Sequence, residues 1–166
     1  MQDHELGAAM KMGMRRLASG VSVLSARDEH GDRFAMTVSS VTSVSDMPPS
    51  LLVCVNKQVA LQGHVSTLGS HFAINILGRD QKEISNACAG MKGVADRFSL
   101  GDWRQHEDST PYLGDAQAVF FCTSDKVVSY GTHHIVIGRI YNVEMGTLAL
   151  DPLIYLDGGY GAVQKE

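Results

Sequence analysis

The hydrophobic and polar positions along the chain follow two different periods. Near the N-terminus, apolar residues recur at helical spacing and a glycine, Gly20, follows them, which predicts an amphipathic helix that packs on the core. These apolar residues are Leu6, Met10, Met14 and Leu17. Further along, short apolar runs bounded by turn residues predict strands. The strands are predicted at residues 20–26, 33–44, 51–55, 72–77, 116–129, 133–145 and 153–157.

A second helix is predicted from Asp80 to Gly90. Asp80 and Glu83 have the spacing of a reciprocal capping pair, and Gly90 is a typical C-terminal stop. About seven short strands, mostly consecutive, favour a mostly β fold with peripheral helices, and a closed antiparallel barrel over a parallel sheet. The chain of 166 residues shows no repeat, linker or low-complexity segment, so we expect one domain over residues 1–166.

Charge and cysteine content narrow the function classes. The net charge of -4, with both signs mixed along the chain, argues against nucleic acid as a partner. Cys54, Cys88 and Cys122 are odd in number and far apart, which argues against a disulfide framework and against a paired-cysteine metal site. No apolar run approaches the roughly 18 residues of a membrane span. We therefore expect a soluble cytoplasmic protein without a membrane partner.

Residues 34–56, "FAMTVSSVTSVSDMPPSLLVCVN", join a run of hydroxyl residues to an apolar strand through two prolines. Proline cannot donate to a strand ladder, so one strand must end before the next begins. Hydroxyls fall on both faces of the first strand, which suits either an edge strand with one wet side or a strand that binds a polar ligand. Asn56 and Lys57 follow the second strand, and Asn75 interrupts the apolar run 72–77. These polar positions suggest one shared ligand but do not identify it.

Common catalytic fingerprints are absent from the sequence. It contains no dinucleotide-binding G-x-G-x-x-G after a strand, no phosphate-binding lysine loop and no G-x-S-x-G elbow. The glycine-rich "GGYG" at 158–161 is interpreted as a turn. His133 and His134 are neighbours on a predicted strand, so they point to opposite faces and cannot share one metal ion.

Four segments in register resemble the short-chain flavin reductases. They are residues 36–56, "FAINIL" at 72–77, "DRFSL" at 96–100 and "GTHHIVIGRI" at 131–140. The likeness covers about residues 14–160 and is greatest to reductase components of two-component aromatic monooxygenases, such as that of 4-hydroxyphenylacetate 3-monooxygenase. It implies a Greek-key split β-barrel, a homodimer, and hydride transfer from NADH or NADPH to FMN or FAD. The reduced flavin would then pass to a separate oxygenase.

The resemblance also implies a set of site residues. Those beside the flavin ring and ribityl chain would be Thr37, Ser39, Ser40, Cys54, Val55, Asn56 and Asn75. Those near the phosphate or adenylate would be Lys57, Gln58 and Arg97. Tyr160 would close the site, and His133 would face the nicotinamide as the catalytic histidine.

Two alternatives remain open at the level of sequence. An oxidase of the pyridoxamine-phosphate type would retain its flavin, but it would need more basic residues for a substrate phosphate. A non-catalytic flavin-binding or redox-sensing protein could use the same barrel. His133 favours the reductase. Val59 and Gly159 stand where many relatives carry a hydroxyl and a basic residue, so the sequence does not decide between FMN and FAD.

Overall fold

A computed structural model describes residues 2–91, 93 and 96–166. Its strands are β1 (Ser19–Gly20), β2 (Ser22–Arg27), β3 (Arg33–Val38), β4 (Thr42–Asp46), β5 (Pro49–Asn56), β6 (His71–Ile76), β7 (Trp103–Gln105), β8 (Pro111–Leu113), β9 (Ala118–Tyr130), β10 (His133–Met145), β11 (Ile154–Leu156) and β12 (Gly159–Gly161). Its helices are α1 (Asp3–Met14), α2 (Gln62–Val65) and α3 (Lys82–Cys88), with 3₁₀ turns at Arg79–Gln81 and Arg97–Ser99. The predicted mostly β class is therefore confirmed.

Seven strands form the main sheet, in the order β3-β2-β6-β9-β10-β5-β4. All neighbours in this sheet are antiparallel. Its two edge strands, β3 and β4, follow each other in the chain and are joined by residues 39–41 alone. Such a link spans at most about 15 Å, whereas the edges of a flat seven-stranded sheet would lie about 29 Å apart. The sheet must therefore curl until its edges meet at one corner, which we call the seam (residues 38–42).

The two edges do not pair along the seam. Within the described ranges, no sheet is closed by hydrogen bonds, so the closed barrel expected from the sequence is not confirmed. The predicted single strand over residues 33–44 is also wrong, because residues 39–41 leave the ladder and divide it into β3 and β4. The strict alternation of hydroxyls between two faces consequently does not continue across the seam.

The core has two parts, one on each side of the central strands. Val23 of β2 and Ala73 of β6 belong to one cluster, together with Phe121. Their neighbours Leu24 and Ile74 belong to the other. Because successive side chains of a strand point to opposite faces, β2 and β6 are buried on both sides. This explains why their sequences are nearly continuous apolar runs.

Gly138 allows the closest packing in the second cluster. A Cβ atom at this position of β10 would lie 2.6 Å from Cζ of Phe72 and 2.9 Å from Cβ of Cys122. Both of these side chains are fully buried. The glycine in "IVIGRI" is thus required by the packing of Phe72 across the sheet.

The N-terminal helix is confirmed, but its expected packing role is not. Helix α1 has no buried residue, and Leu6, Met10 and Met14 are each more than half exposed.

The second predicted helix begins differently from the expectation. The N–H of Gly78 donates to Oε1 of Gln81 at 2.8 Å, so Gln81 caps this segment in place of the predicted Asp80–Glu83 pair.

A polar cluster holds the loop between β7 and β8. The carboxylate of Asp108 lies 2.9 Å from Nδ1 of His71 and 3.1 Å from Nδ1 of His106. It also accepts hydrogen bonds from the Tyr141 hydroxyl and from the Thr110 N–H. His71 belongs to β6 and Tyr141 to β10, so this carboxylate connects the loop to two strands of the main sheet.

In the part of the chain that the structure describes, no helix is long and apolar enough to span a membrane.

Candidate functional site

A cavity of about 440 Å³ lies between β3, α3 and the β11–β12 hairpin. Its volume is in the range of small-molecule sites. The described lining residues are Val21, Thr37, Val38, Ser39, Ser85, Asn86, Ala89, Met91, Tyr155, Gly158, Gly159 and Tyr160. The fold thus brings together three of the site residues expected from the sequence, Thr37, Ser39 and Tyr160.

Helix α3 anchors two of these hydroxyls. Oγ1 of Thr37 donates to the carbonyl of Ser85 at 2.6 Å. The Tyr160 hydroxyl lies 2.6 Å from Oδ1 of Asn86 and 2.9 Å from Oγ of Ser85. Since an amide oxygen only accepts, Tyr160 donates to Asn86 and accepts from Ser85. The hydroxyl proton of Thr37 is used internally, so its oxygen can serve a ligand as an acceptor.

Sequence reasoning did not identify Ser85 and Asn86. The sequence feature that marks them is a pair of polar residues in α3 that lies between the buried residues Ile84 and Ala87. Ser85 is itself only 1 % exposed. A buried polar side chain requires a hydrogen-bonding partner, and here that partner is Tyr160, which lies 75 residues further along the chain. Sequence proximity could not have revealed this pairing.

The hairpin that carries Tyr160 turns at Asp157 and Gly158. Their φ angles are 50° and 79°, and Leu156 pairs with Gly159 across the turn. Two positive φ angles in succession are typical of a type I′ hairpin turn, for which Asp-Gly is a preferred sequence. The interpretation of "GGYG" (158–161) as a turn holds only for Gly158, because residues 159–161 form β12 and pair with β11.

A groove of about 780 Å³ runs between α1 and the seam. It shares the lining residues Ser39, Tyr155 and Gly158 with the cavity, so the two spaces adjoin each other. The groove is lined by two cations, Lys11 and Arg15, and by the carboxylate of Asp157. Among the described lining residues of the cavity, by contrast, there is no lysine or arginine. Charged side chains of both signs therefore line the groove, beside a cavity whose described lining is uncharged.

Ser40 connects the seam to β5. Its hydroxyl accepts from the N–H of Cys54 at 3.1 Å and lies 3.4 Å from the carbonyl of the same residue. Cys54 and Asn56 share the outer face of β5, whereas Val55, between them, is fully buried in the core. The Val55 side chain packs in the core, so the predicted flavin contact at this position stays a prediction for its backbone.

A second group of expected residues lies at the end of β5 and the start of β10. His133 pairs with Asn56 in the register of these strands, so both side chains lie on the outer face. The N–H of Gln58 donates to Oδ1 of Asn56 at 2.9 Å. Nζ of Lys57 donates to the carbonyl of Gly131 at 2.8 Å, which holds the lysine against the turn before β10.

The two adjacent histidines occupy different surroundings, as predicted. His134 pairs with the buried Val55 in the strand register, and its Nε2 lies 3.1 Å from Oε1 of Gln62. His133 is on the opposite face, where its Nδ1 lies 2.8 Å from the Thr132 hydroxyl. The two side chains therefore provide an internal comparison for any role assigned to His133.

Asn75 has its partners inside the protein. It is fully buried, and its amide nitrogen donates to the carbonyl of Val23 and to Oγ of Ser25, both at 2.9 Å. Its Oδ1 accepts from the N–H of Leu113 at 2.8 Å. These bonds give Asn75 a structural role inside the protein, and its place beside the flavin stays a prediction.

Arg97 is also engaged with the protein. Its Nη1 donates to the carbonyl of Ala35 on β3, and it is not among the described residues that line the cavity.

Burial raises the pKa of the Cys88 thiol to about 11, and the positive charge of Arg97 only partly opposes this effect. Burial likewise raises the pKa of Cys122 to about 12. Both thiols are thus neutral at pH 7 and are not nucleophiles.

Comparison with known proteins gives a consistent picture. The family model described as "Flavin reductase like domain" matches residues 14–164. The chain is 34% identical over 162 residues to the reductase component of the FADH(2)-dependent resorcinol hydroxylase of Rhizobium sp. (strain MTP-10005), covering 95% of this chain and 87% of that protein. It is 38% identical over 152 residues to a protein of Rhizobium meliloti (strain 1021) named "Probable flavin reductase", covering 92% of this chain. In that case it spans only 47% of the relative's length.

The solved structures agree on the fold. An NADH:FAD oxidoreductase of Streptomyces globisporus superposes with a TM-score of 0.86 at 23% identity, covering 100% of this chain and 92% of that one. At this identity the likeness establishes the fold.

Proposed function

Because the chain belongs to the flavin reductase like domain family, we propose that it is an NAD(P)H-dependent flavin reductase. It transfers hydride from NADH or NADPH to FMN or FAD and supplies the reduced flavin to a separate oxygenase component that acts on an aromatic compound. The observation that carries this proposal is the cavity at the seam, where Thr37, Ser39 and Tyr160 border a space of ligand size. No further catalytic group is required, because hydride transfer is the chemistry of the flavin and nicotinamide themselves.

The residues of the site fit a flavin in two respects. An isoalloxazine ring is flat and mostly apolar, with polar atoms at one edge, and the cavity combines apolar walls with hydroxyl and amide groups. A flavin phosphate is anionic, and Lys57, which directly follows β5, supplies a cation beside Asn56.

The protein's own residues would bind and orient. Thr37 and Tyr160, both held by α3, keep the cavity walls in place. Asn56, Lys57 and His133 offer polar atoms on the outer face of β5 and β10, where we assign the phosphate-side and nicotinamide contacts. His133 would orient the carboxamide or ribose of the nicotinamide without breaking a bond itself.

We also propose a homodimer of split β-barrels. Val128 and Tyr130 of β9 are 42% and 78% exposed, and the strand register puts them beside Ile135 and His133 of β10 on the outer face. An exposed apolar face of this kind marks an interaction surface. Light scattering should report twice the chain mass, and a fully active monomer would contradict the dimer.

The proposed location is the cytoplasm. Cys54, Cys88 and Cys122 are all free thiols. Free thiols persist in a reducing compartment, which supports this location.

The experiment that tests the function is direct. Purified protein is mixed with NADH or NADPH and with FMN or FAD, and the oxidation of the nicotinamide is followed by absorbance. We expect oxidation that depends on added flavin. Flavin binding without nicotinamide oxidation would instead favour the non-catalytic flavin-binding protein.

Gel filtration tests whether the flavin is released. A diffusible flavin requires an affinity near micromolar, about -8 kcal/mol, so filtration should remove most of it. A protein that stays yellow and fully active would indicate a tightly bound prosthetic group.

A further inference from the structure

The contact between Arg15 and Asp157 connects the end of α1 to the turn of the β11–β12 hairpin. Nε of Arg15 lies 3.3 Å from Oδ1 of Asp157, and its Nη2 donates to the carbonyl of Asp157 at 3.0 Å. In the opposite direction, the N–H of Asp157 donates to the carbonyl of Arg15 at 2.8 Å. Three contacts between the same two residues hold this turn to the helix.

The turn is shaped for the guanidinium group. A Cβ atom at Gly158 would lie 2.5 Å from Nη2 of Arg15, so only glycine lets the guanidinium lie against the backbone here. Gly158 and its neighbour Asp157 both have positive φ angles. Glycine at position 158 therefore serves the turn and the arginine contact together.

The hairpin forms the wall between the two binding spaces. Tyr155 and Gly158 line both the cavity and the groove. Tyr160 follows two residues after Gly158 and closes the cavity toward α3. A displacement of the turn would therefore change the boundary between the cavity and the groove, and the position of Tyr160.

We propose that Arg15 is a positioning residue for flavin binding, which acts by fixing the Asp157–Gly158 turn. This inference rests on the proposed function, since it names the ligand of the same cavity. The side chains of Arg15 and Asp157 are 56% and 82% exposed. Exposed ion pairs contribute little to global stability. The loss of Arg15 should thus affect the local position of the hairpin much more than the stability of the fold.

The test compares Arg15→Gln with Arg16→Gln, which removes the same charge one residue away. Binding of oxidised FMN and FAD is measured by the quenching of flavin fluorescence, and steady-state kinetics separate KM from kcat. For Arg15→Gln we expect the Kd and the KM for flavin to rise about threefold to fivefold, with kcat nearly unchanged. This magnitude corresponds to the loss of an exposed, partly ordered ion pair. Arg16→Gln should match the wild type.

Asp157→Asn refines the test. Asparagine tolerates a positive φ, so the turn persists and the backbone carbonyl still accepts from Arg15. This variant should be milder than Arg15→Gln. The double variant should bind flavin no more weakly than Arg15→Gln alone, because both changes remove the same contact. Fully additive losses would overturn the proposed contact.

Amide hydrogen exchange without any ligand separates this inference from the function itself. Residues 155–160 should exchange faster in Arg15→Gln than in Arg16→Gln. Equal exchange in the two variants, or a lower melting temperature with unchanged flavin Kd, would overturn the positioning role. A wild-type protein that oxidises no nicotinamide with any flavin would refute the proposed function, and the exchange comparison would still decide whether Arg15 fixes the turn.

Discussion

Replacing Asn75 by alanine should destabilise the protein without removing a flavin contact. The Asn75 side chain is fully buried and forms hydrogen bonds with Val23, Ser25 and Leu113 at 2.8–2.9 Å. These partners belong to β2 and β8, so the asparagine of β6 connects three strands. Alanine would leave buried polar groups with fewer partners and would open a small void.

The expected magnitude follows from these contacts. A buried polar group that loses its partner costs about 1–3 kcal/mol, so three disrupted bonds give a loss of about 3–4 kcal/mol after partial relaxation. A typical domain has a free energy of unfolding of only about 5–15 kcal/mol. For a domain of this size the melting temperature falls by about 2–4 °C per kcal/mol. We therefore expect Asn75→Ala to melt about 6–16 °C below the wild type.

Thermal unfolding followed by circular dichroism measures this effect, and flavin Kd is determined well below the transition. Asn142→Ala is the matched control, because Asn142 is an exposed asparagine on β10 of the same sheet. The control should change the melting temperature by at most 1–2 °C, about 0.5 kcal/mol. If Asn75→Ala melted like the wild type but bound flavin about tenfold more weakly, the structural role would be refuted and Asn75 would be a ligand contact.

Three further predictions concern other polar groups. His133→Ala should lower kcat/KM for NADH by about tenfold with flavin affinity little changed, and the assignment is wrong if His134→Ala, on the opposite face, behaves alike. Tyr160→Phe should raise flavin Kd about threefold to tenfold through a lost hydrogen bond; an unchanged Kd would contradict its role. Burial disfavours the charge of Asp108, but hydrogen bonds, chiefly from Tyr141, outweigh it and hold the carboxyl pKa below its usual range. These hydrogen bonds stabilise the folded protein only while the Asp108 carboxyl is ionised. Asp108→Asn should therefore lower the melting temperature above about pH 4, and the difference from the wild type should shrink as the pH falls below that value. Melting curves recorded across this pH range test this, and a difference that does not change with pH would contradict it.

The seam gives a physical reason for the hydroxyl residues between β3 and β4. Where a sheet curls until its edges meet without pairing, backbone groups there lack strand partners. The Ser40 hydroxyl supplies such a partner to the backbone of Cys54, while Thr37 bonds to α3 and Ser39 stays exposed between the cavity and the groove. The same run therefore has structural roles at Thr37 and Ser40, and it leaves the hydroxyl of Ser39 exposed for the ligand that we propose.

Local pattern predicted the main-sheet strands β2, β5, β6, β9 and β10, the first helix, and the opposite faces of His133 and His134. These features depend on neighbouring residues: a period of two or 3.6, a glycine or a proline, and the alternation of a pleated strand. The segment 133–145 was predicted with the bounds that β10 has. The family resemblance is likewise a property of linear order, and the match over residues 14–164 confirms it.

Only the tertiary structure decided which polar residues are available to a ligand. Asn75 and Ser39 look equally out of place in the sequence, yet Asn75 is satisfied by groups from β2 and β8, whereas Ser39 is exposed at the cavity. Ser85 and Arg15 were not expected at the site at all, because their partners Tyr160 and Asp157 lie 75 and 142 residues away in the chain. A hydrogen bond is a contact between atoms, and the distance between atoms so remote in sequence is set by how the sheet curls and where the last hairpin packs.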